Sequence, residues 1–253
     1  MPRIAAFAYG LVVYALFLGV FLYLAAFLGN VPLAPKTIDT DPQPFTWTAL
    51  LINVGLLGLF ALQHAVMARP AFKRRWTRIC PPVIERSTFV LATCAVLSLL
   101  FWQWRAIEGT LWSFDGIAGG VLTGTFWLGV LIVFVSTWNI GHFHLFGLRQ
   151  VWDNLRGKPQ AQPFFHTPGL YKHVRHPIMT GFLIAMWCVP TMTVGHLVFS
   201  AVASAYIFIA VKFLEERDLR DLFGARYDEY IRTTGAYLPL PGGNREPARA
   251  QAN

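Results

Sequence analysis

Charge is what this chain has least of. Lys, Arg, Asp and Glu make up 13% of 253 residues, against 55% hydrophobic and 15% aromatic. A soluble domain carries about 25% charged residues, so a surface wetted on all sides is excluded. Cysteine is scarce too: Cys80, Cys94 and Cys188 form no CxxC pair and no even framework. That argues against a disulfide scaffold and against a thiolate metal site. Cys94 and Cys188 fall inside apolar runs and read as small hydrophobes. No metal ligand set is assigned, and no internal repeat or separate soluble domain is visible.

What the chain has instead is long apolar runs. Ile4–Leu28 contains no charged residue; it is too long for a removable signal peptide and lacks a cleavage pattern, so it reads as a retained helix. Further spans fall at Phe45–Met67, Ser87–Trp104 and Ile117–Ile140, near the roughly 20 residues that cross a bilayer. Ile178–Val211 is again free of Lys, Arg, Asp and Glu. As one rod it would run about 51 Å, too long for a hydrocarbon core of about 30 Å. Pro190 and Gly195 supply a break, which predicts a hairpin of two helices, about 13 and 17 residues long.

The expected fold class is therefore all-α: a polytopic transmembrane helical bundle of about five long helices, its last apolar stretch a helical hairpin. Leu214, Leu219, Leu222 and Phe223, set among charges, predict a C-terminal interfacial helix that Gly224 ends or kinks. Residues 1–240 read as one domain. Pro239, Pro241, Gly242 and Gly243 mark a loop, and 241–253 reads as a disordered tail.

The net charge of +8 raises the question of nucleic acid, and its distribution answers it. Arg69, Lys73, Arg74, Arg75, Arg78 and Arg86 crowd one inter-span loop; Arg149, Arg156, Lys158, Lys172 and Arg175 crowd another. The alternate loops carry only Lys36 and Arg105 against Asp39, Asp41, Glu108 and Asp115. This is the positive-inside pattern, so the basic partner is the lipid bilayer, with no nucleic acid and no obligate protein partner. Most of these arginines read as solvated topology signals. Both termini are expected to be cytoplasmic, in a bacterial inner membrane. The segment 147–176 is long for a connector, a length usually functional or disordered.

Polar residues bracket the last apolar stretch. Before it stands Tyr171-Lys172-His173-Val174-Arg175-His176-Pro177; after it, Glu215-Glu216-Arg217-Asp218. A hairpin brings the two together on one face. Pro177 suits the first position of a helix, whose free N–H groups and dipole favour an anion such as a carboxylate. The bland reading of Arg175 and His176 is a juxtamembrane basic cluster. Glu216 has Arg220, and Arg217 has Asp221, at i,i+4, which leaves Glu215 without a helical partner. A carboxylate there can accept ribose hydroxyls or face a sulfonium. Tyr227 and Tyr230, one turn apart, are either interfacial belt residues or walls for an adenine or a cation. Tyr9, Gln63, His64, Asn139, His142 and His144 fall near the same face, where ionisable groups often mark function.

Arg175-His176-Pro177, a helix breaker thirteen residues on, then Glu215-Glu216, Leu219, Phe223-Gly224, Tyr227, Tyr230 and Leu238-Pro239 together resemble the isoprenylcysteine carboxyl methyltransferase superfamily of membrane enzymes. The match covers about residues 168–240. It implies S-adenosyl-L-methionine as cofactor, bound by Tyr171, His173, Arg175, His176, Pro177, Glu215, Glu216, Tyr227 and Tyr230. Met179 departs from the pattern, where a Tyr commonly stands. Gln63-His64 through Pro70, and His144 through Gln150, resemble the NnrU-like branch. The combination implies methylation of a small thiol at the cytoplasmic face, with methanethiol as acceptor and dimethyl sulfide as product.

Thiolate is the competent nucleophile, so a base is needed. His64 is the first candidate and His144 the second, with Gln63 to orient either. Arg175 reads as a carboxylate clamp. Three alternatives stand beside this reading: a haem-binding NnrU-like isomerase using His64 with His142 or His144, an isoprenylcysteine or lipid-type methyltransferase, and a small transporter or assembly factor.

Overall fold

The computed structural model describes residues 1–160 and 164–239. The tail expected at 241–253, with Pro241, Gly242 and Gly243, lies outside the described residues. Five helices are long and apolar enough to cross a membrane, and the chain is an integral membrane protein. The first four are α1 (Arg3–Leu28), α2 (Trp47–Ala68), α4 (Pro82–Gln103) and α5 (Gly116–Asn139); α3 (Pro70–Trp76) joins α2 to α4. The fifth, Val194–Phe223, is composite. Local chemistry sets the starts: Thr46 caps α2 by accepting from Ala49 N at 3.1 Å, and proline opens α3 and α4, where its missing N–H costs nothing.

The hairpin forms as the break at Pro190 and Gly195 predicts. Its first arm, α8 (Pro177–Trp187), follows two short helices, α6 (His142–Leu145) and α7 (Leu148–Leu155). Its second arm is α9 (Val194–Ala210), started by Thr193, whose Oγ1 accepts from His196 N at 3.0 Å. Between the arms, β2 (Thr191–Thr193) pairs antiparallel with β1 (Thr110–Ser113) of the α4–α5 connection. The sequence does not announce that small sheet, because segments of four and three residues are too short for an alternating pattern to be read. It places the hairpin's turn in the same layer as the α4–α5 connection. Residues 30–46 join that layer through Gln43 N to Ala106 O at 3.1 Å and Thr193 Oγ1 to Asp39.

The arm α8 lies against α5 with backbones nearly touching. A Cβ on Gly129 would stand 2.7 Å from Ala185 N, and one on Gly181 would stand 2.6 Å from Gly129 O. Small residues at such a crossing are how membrane helices gain contact without a hydrophobic drive.

The 147–176 segment, of a length usually functional or disordered, holds α7 and a 3₁₀ turn at Gly169–Lys172 among its described residues. The expected C-terminal helix is α10 (Glu216–Phe223), which continues the last span, and a further helix follows it, α11 (Ala225–Thr233). Gly224 sits between them at φ 55° and ψ −133°, backbone that favours glycine. The segment Val211–Glu215 joins α9 to α10 as a π-turn, a widened turn that often marks a functional position.

Candidate active site

The hairpin and the π-turn deliver the bracket to one end of the bundle. Glu215 and Glu216 leave the widened turn on either side of one imidazole: His176 Nδ1 lies 3.6 Å from Glu215 Oε1, and Nε2 donates to Glu216 Oε1 at 3.2 Å. His176 is buried. Burial works against its charge, but the hydrogen bonds and negative charges of Glu215 and Glu216 outweigh it and raise the pKa from 6.5 to about 9. The ring is therefore an imidazolium at neutral pH.

Arg175 completes the knot. Its Nε and Nη2 donate to Glu216 Oε1 at 3.0 and 2.7 Å, and Nη1 donates to the carbonyls of Thr234 and Ile231. The backbone follows: Arg175 N and His176 N donate to Gly235 O and Ala236 O at 2.8 and 2.9 Å. Arg175 thus ties α8 to α10 and to the segment after α11. The expected i,i+4 pairing of Glu216 with Arg220 is corrected here. Glu216 turns inward to Arg175 and His176, and Arg220 pairs with Asp228 at 3.4 Å. Two donors beside a buried carboxylate outweigh one exposed arginine.

Glu215 is the acid left over. It keeps 43% of its side-chain surface accessible, against 10% for Glu216. Beside it, Tyr227 is buried with its hydroxyl unpartnered. Tyr227, Tyr230 and Phe165 form an aromatic cluster with ring centroids 5.6 to 6.2 Å apart. Tyr230 Oη donates to Tyr171 O and, at 3.3 Å, to Val174 O. Burial pushes the phenols of Tyr171, Tyr227 and Tyr230 up, so they remain neutral. An open carboxylate, an orphan hydroxyl and aromatic faces fit a nucleoside that carries a cation.

Asn139 positions this wall from α5, its Oδ1 accepting from Leu170 N at 2.9 Å. Lys172 and His173 are exposed, while Pro177 is buried as the first residue of α8.

His64 approaches Glu215 from α2. Its ring stacks on Phe60 (5.3 Å) and leans on Phe89 (5.0 Å), and its Nδ1 is buried without a partner. Arg86, Arg69 and Glu215 all act on it electrostatically. Gln63 turns away, donating to Met67 Sδ at 3.2 Å and accepting from Thr93 Oγ1 at 3.4 Å. His144 is exposed on α6. Both nitrogens of His142 are engaged, by Tyr14 Oη at 2.9 Å and Thr137 Oγ1 at 2.8 Å, and its ring stacks on Trp138. With both ring nitrogens taken, His142 has none left for a haem iron. Tyr9 bonds Thr88 at 3.1 Å.

Three neighbours escaped the sequence reading. Arg69 pairs with Asp218 at 2.8 Å and locks α2 to α10. Tyr206, on α9, packs edge-on against Phe60 at 6.0 Å and feels Arg69 and Glu215. Arg86 lies one turn inside α4. Both arginines also fit the positive-inside pattern, which hides them in the sequence. The available signal for Arg86 was the lack of any acid three or four residues away on its helix.

Among proteins of known activity, the chain is 49% identical to methanethiol S-methyltransferase 2 of Bradyrhizobium diazoefficiens over 237 residues, covering 94% of this chain and 91% of that one. It is 47% identical to the methanethiol S-methyltransferase of Mycobacterium tuberculosis over 242 residues, covering 95% and 98%. Nurim of Homo sapiens is a more distant relative, 31% identical over 188 residues, covering 71% and 69%. No family model and no solved structure matches.

Proposed function

Because this chain belongs to the methanethiol S-methyltransferase family, we propose that it transfers a methyl group from S-adenosyl-L-methionine to methanethiol, releasing dimethyl sulfide. The observation that carries the reading is the position of Glu215, which faces His176 on one side and acts on His64 on the other. One acid thereby joins the methyl-donor wall to the only imidazole on α2.

Bound there, the cofactor supplies an electrophilic methyl on a sulfonium. Glu215 is the acid for that cation or for the ribose hydroxyls. Tyr171, His173, Tyr227 and Tyr230 line the nucleoside, and Pro177 opens the helix that faces it. His176, Arg175 and Glu216 hold the wall in shape; Arg175 spends its guanidinium on Glu216 and two carbonyls rather than standing free as a clamp. His64 accepts the thiol proton, held by Phe60 and Phe89, with Gln63 next to it on α2 and His144 as the second candidate. Apolar faces of α1, α2 and α4 admit a small volatile thiol from lipid. The site opens to the cytoplasm across a bacterial inner membrane, both termini on that side.

Headspace gas chromatography of membranes given S-adenosylmethionine and methanethiol tests this. Dimethyl sulfide should appear with wild-type chain and vanish with Glu215→Ala. Its absence from well-folded wild-type protein sinks the reading.

A further inference from the structure

Three arginines act on His64, Glu215 or the adjoining Glu216, and they are not equivalent. Arg69 is neutralised by Asp218 and Arg175 by Glu216. Arg86 makes no ion pair among the described residues. Its Nε donates to Leu145 O at 2.6 Å, and its Cζ stands 5.0 Å from the Phe89 ring centroid. The His64 ring stands 5.0 Å from that same centroid. A half-buried guanidinium with no carboxylate on it is costly, and such a cation persists where an anion comes to meet it.

The surroundings sharpen the point. On its own helix Arg86 has Glu85; from α3 it faces Lys73, from α2 His64, and from α6 His144. Lys73 adds a second positive charge, so Glu85 alone does not settle the balance.

We propose that Arg86 is the anion site for the sulfur nucleophile, holding the acceptor as thiolate beside His64. This rests on the methyl-transfer reading above. The acceptor's S–H proton passes to His64, and the sulfur keeps the bonding pair as the anion that Arg86 faces. That pair makes the new sulfur–carbon bond while the old bonding pair stays on the donor sulfur, which becomes a neutral thioether. The proton on His64 returns to water. Arg86 thus does for the acceptor what Arg175, committed to Glu216, does not.

The test compares Arg86→Met and Arg86→Lys with wild type, each checked for S-adenosylhomocysteine binding by calorimetry. Arg86→Met should bind S-adenosylhomocysteine as wild type does, yet lose about 100-fold in kcat/KM for methanethiol at pH 7, the scale of removing one oxyanion donor. Arg86→Lys should keep most of the rate. Methaneselenol, already ionised at that pH, meets the same guanidinium as an anion and should lose on the same scale. With S-adenosylhomocysteine-saturated protein, adding methanethiol at pH 7 should give an ultraviolet thiolate difference band in wild type and none in Arg86→Met. A selenol rate that Arg86→Met leaves unchanged, or a thiolate band that survives in Arg86→Met, overturns the proposal. So does loss of S-adenosylhomocysteine binding, which assigns Arg86 to the cofactor's carboxylate. Failure of wild type to make dimethyl sulfide instead strikes the parent reading.

Discussion

His176 donates to Glu216 at 3.2 Å across forty residues of chain. Those forty residues are the whole hairpin, out to the strand layer and back. The contact closes the hairpin at its base, so one ion pair reports both on the fold and on the site. Glu216 also takes two hydrogen bonds from Arg175, which makes it the acid on which two cations depend.

Replacing Glu216 by Gln should therefore cost more than the loss of one surface pair. With side-chain exposures of 10% or less at all three positions, removing the acid leaves buried cations uncompensated, a penalty of about 3–5 kcal/mol. Thermal unfolding in detergent should show the loss. A double-mutant cycle with Arg175→Ala should be strongly non-additive, because both changes break the same knot. Additive losses would show that the pair is not coupled.

The same knot predicts a pH dependence. The folded pKa of His176, about 9, lies above its ordinary value of 6.5. Its contribution to stability is thus fully present below about 6.5, declines as pH rises, and is gone above about 9. Unfolding temperature and S-adenosylhomocysteine affinity should both fall between pH 7 and pH 10. In His176→Gln that fall should flatten. An identical slope in the variant would assign the effect to another group.

The hairpin was legible because thirty-odd apolar residues cannot span a bilayer straight, and Pro190 marked where they bend. The bracket was legible because its charges stood alone at the ends of an uncharged run. Pairing within it was not. Helical spacing assigned Glu216 to Arg220, since i,i+4 geometry sees only neighbours along one helix, whereas the actual partner arrives from another. The π-turn at Val211–Glu215 was equally hidden, because no residue type encodes an extra residue per turn. Arg86 was lost for a different reason. Among several arginines that set topology, only its missing acid partner and its place against Phe89 distinguish it, and the second of these is a tertiary fact.

His64 gives a prediction about mechanism alone. His64→Ala should bind S-adenosylhomocysteine normally, since the residue stands outside the tyrosine wall. Turnover should fall by about 10²–10⁴. The loss should be greatest at low pH, where free thiolate is scarce, and should shrink as pH approaches the thiol's own pKa of roughly 8.5 or above. Unchanged rates at every pH would remove His64 from the reaction.

The last prediction concerns a glycine that touches no ligand. Gly169 has φ +52°, and a Cβ there would stand 2.3 Å from Asn139 Oδ1, the atom that accepts from Leu170 N. Alanine would therefore meet strain in the backbone and displace the amide that anchors the 3₁₀ turn to α5. Tyr171 rides on that turn, and its carbonyl takes the Tyr230 hydroxyl. Gly169→Ala should destabilise the protein by about 1–3 kcal/mol and weaken S-adenosylhomocysteine binding, with the His64 imidazole untouched. Asn139→Ala should weaken binding in the same direction but less, because it removes the anchor without adding strain. If Gly169→Ala bound S-adenosylhomocysteine as tightly as wild type, the turn carrying Tyr171 would have no part in holding the methyl donor, and the wall would reduce to Glu215, Tyr227 and Tyr230.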